Sequence, residues 1–456
     1  MSHPIAFLFP AFPVLHQTFV LWEVLALRRL GVEIDLYSIK QPSTSTQQPE
    51  GEALRKEVHY LPATLSAPVL QANFAALRRD PARYLGAYVR LTREWWRDRN
   101  AGKAWQKKKI DKDAPERQLT TMELLRGRFN RNKVLYLLKS LALVPQAVYL
   151  GMKLERDGVE RLHAHWASYP ATMGMVIHWV FGLPFSFTAH AYDIYMVPYL
   201  LRPKVNEAHF VVTCARVNAT YLENLAGRER PHRVIVNYHG VSLDRFRPMP
   251  RDASHRKPGF TVVTCGRLEP YKGHHVLLQA CAQLGPDVRC VLVGEGPQRQ
   301  RLEELARQLG IGDRVEFTGP LPQAELARRY AEADVFVLAS VILERSGKRD
   351  VIPNVLAEAM AMQLPVVATD ISGIGELVRD GESGRLVPAN DAGALAAVLE
   401  ELRGDEAQRR RLGLGGAQKV ARDFDREVNI QDLARLFLAD VETPAAPVER
   451  ERASLP

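Results

Sequence analysis

Residues 345–369, RSGKRDVIPNVLAEAMAMQLPVVAT, decide how the rest of this chain is read. Asp350 and Glu358 lie eight positions apart with Pro353 between them. Proline suits the first turn of a helix, where its missing N–H would have no partner. Leu356, Ala359 and Met360 then recur at helical spacing. The stretch predicts a loop to Ile352, a helix over about 353–362, a turn at Gln363–Leu364–Pro365 and a buried strand over 366–369. Asp350 falls just before that helix and Glu358 about one and a half turns inside it. The N–H groups at a helix start favour phosphate, which makes Asn354 and Val355, with Pro353 shaping the turn ahead of them, candidates for the phosphate end of a ligand. A carboxylate accepts hydrogen bonds from a sugar diol. Phosphate at the helix start and carboxylates beside it suit a sugar nucleotide.

The stretch resembles the paired-acid signature of retaining glycosyltransferases of the GT-B fold, in particular glycosyltransferase family 4. That signature is Glu, seven residues, Glu, with a proline inside and an alanine after the second acid. Here the second acid is Glu358, followed by Ala359, and the first is Asp350, one methylene shorter than the usual glutamate. The resemblance implies that Glu358 takes the ribose hydroxyls and Asp350 the transferred sugar. It also implies retention of configuration.

Outward from this stretch, the second half alternates strands and helices. Strands are predicted at 260–268, 288–294, 315–319, 334–340 and 385–391, with helices at 273–284, 297–309, 322–332 and from Ala392. That alternation predicts a doubly wound α/β domain with a parallel sheet, whose ligands bind outside the carboxyl ends of the strands. The stretch 260–268 is a strand and turn, and Arg267 in that turn and Lys272 after it lie between Gly266 and Gly273. An arginine fork and a lysine point charge there would meet a diphosphate, and the resemblance assigns them to the donor diphosphate. VGEGP at 293–297 is a strand-end glycine turn. The resemblance places its Gly294 and Glu295 by the nucleotide base.

The first half opens as another parallel unit: a strand at 4–9, a loop, a helix over about 17–30 and a strand at 32–39. It is similar to an exopolysaccharide-assembly branch that carries Ser-Glu-Thr-Phe at the helix start. Here the segment is His16-Gln17-Thr18-Phe19, and Thr18 would cap the helix or wall the cleft between donor and acceptor. Residues 40–60 read as a polar loop, 66–97 as helix, and 132–155 as a helix that Pro145 bends or breaks. FSFTAHAYDIY at 185–195 ends a strand at His190, with Asp193 three residues on. These match the family's strand-end His–Asp motif, in which the histidine faces the donor sugar. A lone strand-end histidine is otherwise an ordinary structural residue.

Composition frames these motifs. The 456 residues allow two or three domains with real cores, and 46% hydrophobic with 25% charged residues is ordinary for globular proteins. A net charge of +9 suits anionic partners. Cys214, Cys265, Cys281 and Cys290 show no metal-binding spacing and are expected as reduced thiols. Asp111–Asp113 and Asp423–Asp425 do not follow strands, so no metal and no cofactor beyond the nucleotide-diphosphate sugar is expected. Residues 4–12 are too short for a secretory leader. Trp166–Thr188 lacks acidic and basic side chains, but its glycines and prolines read as helix, turn and strand rather than a membrane span. WWRDRNAGKAWQKKKIDK at 95–112 sets three tryptophans among seven basic residues. It reads as a solvated basic face, a contact with an anionic membrane, or more distantly a nucleic-acid surface.

The expectation is therefore an α/β protein of the GT-B type, two Rossmann-like doubly wound domains facing a central cleft. Residues 1–243 would bind the acceptor, 244–256 link, and 257–424 bind the nucleotide sugar. Residues 425–442 would cross back as a helix, and 443–456 have the composition of a disordered tail. The expected activity is metal-independent transfer of a sugar to a lipid-linked or oligosaccharide acceptor in exopolysaccharide biosynthesis. The protein would be cytoplasmic and peripheral on the inner face of the plasma membrane, with no nucleic-acid partner. The other reading is a GT-B-fold assembly partner that has lost turnover, for which Asp350 and Gln17 are the departures from the family pattern.

Overall fold

The structure, a computed structural model, describes residues 4–14, 18–42, 49–97, 131–226, 234–249, 259–344 and 346–439. The chain divides into two compact units. The first comprises residues up to Thr213, Asn218–Asn237 and the chain from Gln431; the second comprises Cys214–Val217 and Tyr238–Ile430.

In the first unit the strands β1 (Ile5–Ala11), β2 (Ile34–Lys40), β3 (His59–Tyr60), β4 (Arg161–His165), β5 (Phe185–Ala189), β6 (Val211–Thr213) and β7 (Val234–Val236) form one parallel sheet. Their order is β3-β2-β1-β4-β5-β6-β7. β1 is buried from Ile5 to Phe9 and β5 throughout, as a parallel sheet covered on both faces requires. Three of the sequence expectations change here. Residues 40–60 contain the helix Pro49–Arg55 and strand β3, not a loop alone. The helical stretch 66–97 is two helices, Ala67–Arg79 and Pro81–Arg97. Pro81 brings no N–H to a continuing ladder, and the chain turns at Asp80. Arg131–Arg156 instead runs unbroken through Pro145. Its neighbours secure it there, because Asn73 donates a 2.9 Å hydrogen bond to the Pro145 carbonyl.

The span Trp166–Thr188 contains the end of one loop, the helix Tyr169–Phe181 and β5, separated by Gly182 in the left-handed region. Among the described residues, one helix is long and apolar enough to cross a membrane. It lies within Arg131–Arg156, and half of it is buried in the protein.

The second unit holds β8 (Phe260–Cys265), β9 (Val288–Val293), β10 (Val315–Gly319), β11 (Val335–Leu338), β12 (Val366–Thr369) and β13 (Arg385–Val387), all parallel. Their order is β10-β9-β8-β11-β12-β13. Alternate residues face opposite layers. Val263, Phe336 and Val366 pack with Leu356 and Met360 on one side. Val262, Val335 and Val367 pack with Leu277 and Leu399 on the other. Val241 and Phe246, beside and within the stretch expected to link domains, are buried in the first of these layers. The order winds outward from β8 to β10 and then restarts from β11 in the other direction. The loops after β8 and β11 therefore diverge and leave a crevice at their carboxyl ends, the place where such sheets bind nucleotides.

The last helix, Arg426–Leu438, belongs to the second unit as far as Ile430 and to the first from Gln431. Phe437 sits among Phe7, His163 and Phe210, with ring centroids 5.2, 4.9 and 5.9 Å away.

Candidate active site

The switch point of the second sheet gathers several of the residues singled out above. After β8 the chain passes Gly266 and Arg267, makes a single 3₁₀ turn at Pro270–Lys272, and enters the helix His274–Cys281. Gly273 has φ +67°, and a Cβ there would lie 1.7 Å from the Ala339 carbonyl oxygen. Only glycine lets the Lys272 turn rest against the end of β11. Gly294, after β9, has φ +134°, and a Cβ there would lie 2.0 Å from the Gly266 carbonyl oxygen. Both glycine turns are thus needed for close passage of backbone.

Lys272 Nζ donates to Asp350 Oδ1 at 2.8 Å, and each side chain is only 11% exposed. Ser340 Oγ donates to the other carboxylate oxygen at 2.6 Å. Burial opposes the charged amine, but Asp350, with smaller help from Tyr271 and Cys265, raises the Lys272 pKa above the ordinary lysine value. Around this pair, Lys348 bonds Glu269 at 2.7 Å, and its ammonium stands 4.8 Å from the Tyr271 ring centroid. Arg267 reaches into solvent, 3.5 Å from Glu269.

The helix following Asp350 runs Asn354–Ala361. Pro353 is its N-cap, with extended backbone, rather than a member of its first turn. A proline at that position cannot cap with its side chain, and none does. Asn354 and Val355 therefore open the helix with N–H groups that have no intrahelical acceptor. Glu358 sits one turn further in. Burial pushes its carboxyl up to about 7. It has no hydrogen-bond partner among the described residues. Its charge adds to burial in pushing the Cys265 thiol up to about 12. At the end of β9, Glu295 accepts from the Gly296 N–H at 3.2 Å and from Arg299 at 2.9 Å. Asp423, of the Asp423–Asp425 pair, accepts from Lys419 and Arg422. Asp111–Asp113 lies outside the described residues.

In the first unit, His190 follows β5 and is buried against Trp166, Phe19 and His165, with ring centroids 4.4, 5.4 and 5.8 Å away. Asp193 Oδ2 accepts from the Ala167 N–H at 3.0 Å and the His190 N–H at 3.4 Å, tying the ends of β4 and β5 together. Burial pushes Asp193 up to about 6, against the pull of those two N–H groups. Thr18 begins the helix Thr18–Arg29. His16 and Gln17 lie outside the described residues.

Sequence reading had not singled out Ser340, Glu269, Lys348 or Trp166. Trp166 holds φ +86° directly after β4, a conformation that non-glycine residues adopt at a cost and that concentrates at functional sites. Its only trace in the sequence is its place at a strand end. Lys204 was also missed. It is fully buried, and its amine donates to the carbonyls of Ala167, Ser168 and Tyr199 and to the Tyr136 hydroxyl.

Residues 247–419 match the family of Glycosyl transferases group 1. The chain is 39% identical over 213 residues to a putative colanic acid biosynthesis glycosyltransferase, WcaL, of Salmonella typhimurium, covering 45% of this chain and 51% of that protein. It is 33% identical over 208 residues to the amylovoran biosynthesis glycosyltransferase AmsK of Erwinia amylovora, covering 45% and 50%. The chain thus spans about half the length of the curated relatives it matches. Among solved structures it is similar to HepE of Anabaena in complex with UDP, with a TM-score of 0.65, 17% identity and 95% and 99% of the two chains covered. It is likewise similar to a sucrose-phosphate synthase of Thermosynechococcus elongatus, with a TM-score of 0.64, 20% identity and 96% and 98% covered. At these identities the likeness concerns the fold, which is GT-B with two Rossmann-like parallel-sheet domains.

Proposed function

We propose, from the premise that residues 247–419 form a group 1 glycosyltransferase domain, that the protein transfers a sugar from a nucleotide-diphosphate donor during assembly of a cell-surface polysaccharide. The observation that carries this reading is the buried Lys272–Asp350 pair, set beside a helix start with no side-chain cap at the switch point of the second sheet. In this reading Lys272 and Arg267 hold the diphosphate together with the Asn354 and Val355 N–H groups. Glu358 accepts the ribose hydroxyls, Gly294 and Glu295 lie by the base, and Asp350 faces the transferred sugar. The resemblance gives His190 a catalytic role toward the donor sugar, and Asp193 behind it and Thr18, next to Phe19 in sequence, the acceptor side. Glycosyl transfer builds positive charge on the sugar and negative charge on the leaving group, so stabilising the diphosphate is the main task. Two cations and a helix start supply that stabilisation without a metal ion. The names of the relatives support a polysaccharide acceptor, and the paired acids support retention of configuration. The test is release of nucleoside diphosphate from a panel of UDP-, GDP- and ADP-sugars, with and without chelator. Release from one donor class, unchanged by chelator, is expected. No release and no binding across the panel rejects the activity, and loss of turnover restored by Mg²⁺ or Mn²⁺ rejects the metal-free mechanism.

A lipid-linked acceptor would bring the first unit to an anionic membrane at the cytoplasmic face. Most of the stretch first considered for this, 95–112, lies outside the described residues. Support comes instead from the helices Ala67–Arg79, Pro81–Arg97 and Arg131–Arg156, which expose Leu70, Phe74, Leu85, Val89, Trp96 and Leu138. Leu85, Val89 and Trp96 recur on one helical stripe. Arg83, Arg90, Arg93 and Arg97 share that helix with a single acid, Glu94. Interspersed apolar and arginine side chains suit an anionic interface, to which each cation contributes about 1 kcal/mol. The protein should sediment with anionic vesicles at low salt and less at high salt. The variant Val89→Glu/Trp96→Glu should lose at least about fivefold in binding, given the cost of placing charge in the apolar face. Equal sedimentation of parent and variant removes this face from consideration.

A further inference from the structure

Asp350 occupies the position where the resembled signature carries glutamate, and both of its oxygens are engaged. Oδ1 accepts from Lys272, which follows β8, and Oδ2 from Ser340, which follows β11. Ser340 is itself held, since Thr369 at the end of β12 donates from its hydroxyl to the Ser340 carbonyl at 2.5 Å. β8, β11 and β12 are consecutive neighbours in the sheet. The carboxylate therefore joins the loops after β8 and β11, and Thr369 ties the second of these to the end of β12. A buried ion pair is weak evidence for a stabilising role, because apolar residues would usually serve stability as well. Its place at the carboxyl ends of the strands points to a role in binding.

We propose that Asp350, fixed by Ser340, is a positioning residue that holds the Lys272 ammonium in place as the counter-ion of the donor diphosphate. This rests on the glycosyltransferase reading and is additional to any contact that Asp350 makes with the sugar. The neighbours of the amine leave this task to Asp350. Tyr271 has its ring centroid 5.3 Å from Nζ, and burial raises its phenol, so it stays neutral. Burial likewise pushes the Cys265 thiol up to about 12. Burial and the Lys272 charge push His274 down to about 4, so the imidazole is neutral and places no second cation there. Asp350 is the carboxylate that pairs with the amine among the described residues. Glu269 is engaged with Lys348 at 2.7 Å. Removing the Asp350 charge and its hydrogen bond leaves burial opposed only by Tyr271 and Cys265, which lowers the pKa of the amine and weakens its hold on an anion as pH rises.

The experiment is calorimetric titration of UDP, GDP and ADP at pH 6.5 and pH 9. It uses the parent, Asp350→Asn, Asp350→Glu, Lys272→Met and the double variant Asp350→Asn/Lys272→Met, with thermal unfolding to confirm that each is folded. These probes carry no sugar, so a sugar contact of Asp350 cannot move the result. Asp350→Asn should weaken diphosphate binding by about tenfold at pH 9, the effect of about one pKa unit, and less at pH 6.5. Asp350→Glu keeps the charge and should stay near the parent at both pH values. It carries the test if the asparagine variant is poorly folded. In the Lys272→Met background, Asp350→Asn should have little further effect. Unchanged or tighter binding by a folded Asp350→Asn, or an effect that persists in full without Lys272, overturns the proposal. The same follows if Asp350→Glu loses affinity as asparagine would. A parent that binds none of the three diphosphates overturns the donor-site reading along with it, which separates the two failures.

Discussion

Lys272→Met is expected to lower kcat by about two orders of magnitude at saturating donor, the size of effect seen when a preorganised stabiliser of developing charge is removed. Methionine keeps the apolar stem of the side chain and deletes only the ammonium. The leaving diphosphate gains charge in the transition state, so the loss falls on kcat more than on KM. The substitution also strands the Asp350 carboxylate, which is only 11% exposed and would keep just the Ser340 bond. Breaking such a pair by removing one partner costs on the order of 3 kcal/mol, and a lower melting temperature should accompany the kinetic loss. Arg267→Ala should cost less, about tenfold, because that guanidinium is largely exposed and its ion pair, with Glu269, is a loose one at 3.5 Å. The check is steady-state kinetics well below the melting temperature of each variant. A Lys272→Met enzyme within threefold of the parent kcat would remove the amine from the leaving-group site.

The second sheet was legible because its strands are short apolar runs between unambiguous turns. Phe260–Cys265, Val288–Val293, Val335–Leu338 and Val366–Thr369 each lie inside a predicted strand, and their burial on both faces is why they read as continuous rather than alternating. The helical layer between β3 and β4 was harder to read. Pro81 and Pro145 carry the same local chemistry, yet one ends a helix and the other sits inside one. The difference is tertiary. Arg131–Arg156 is held on its neighbours by contacts such as Asn73 to the Pro145 carbonyl, whereas Asp80 is the C-cap at which the preceding helix ends. The helix at 49–55 was hidden because Pro49, Glu50 and Gly51 read as turn residues when the buried Leu54 is not known to anchor them.

At the candidate site, residues within one motif were legible and partners from different strands were not. Arg267 and Lys272 share a glycine-framed loop, and Asp350 and Glu358 share one helix approach. That Lys272 would meet Asp350, 78 positions further along the chain, depends on β8 and β11 being neighbours, and only the sheet order supplies it. Ser340 is an unremarkable strand-end serine until Asp350 folds back onto it. Trp166 shows the same limit. Its positive φ stands next to the Ala167 N–H that Asp193 holds, a contact between two strand ends.

Glu358→Gln should yield a protein that is more stable above neutral pH and binds its donor less well. Burial raises the Glu358 carboxyl from about 4.5 in the unfolded chain to about 7 in the folded protein. Between these values the unfolded chain has released its proton while the folded protein retains it. The folded state then binds more protons than the unfolded state, and stability falls as pH rises through this window. Below about pH 4.5 both states are protonated and the residue has no such effect; above about pH 7 the penalty is fully present. Glutamine carries no charge at any pH, so the variant should gain on the order of 1–3 kcal/mol at pH 8 and almost nothing at pH 4. Binding should move the other way. Ribose hydroxyls donate to the ionised carboxylate and favour it, so donor binding releases a proton, and parent affinity should rise from pH 6 to pH 8. In Glu358→Gln that rise should vanish, with affinity at pH 8 lower by roughly 1–3 kcal/mol from loss of the charge-assisted bonds. Denaturant melts and nucleotide titrations at pH 4, 6 and 8 test both halves. Equal stability of the two proteins at pH 8 would show that burial does not strain this carboxyl. Equal and equally pH-dependent nucleotide affinity would show that Glu358 does not touch the ribose, since a buried acid with no role in binding can be replaced without loss.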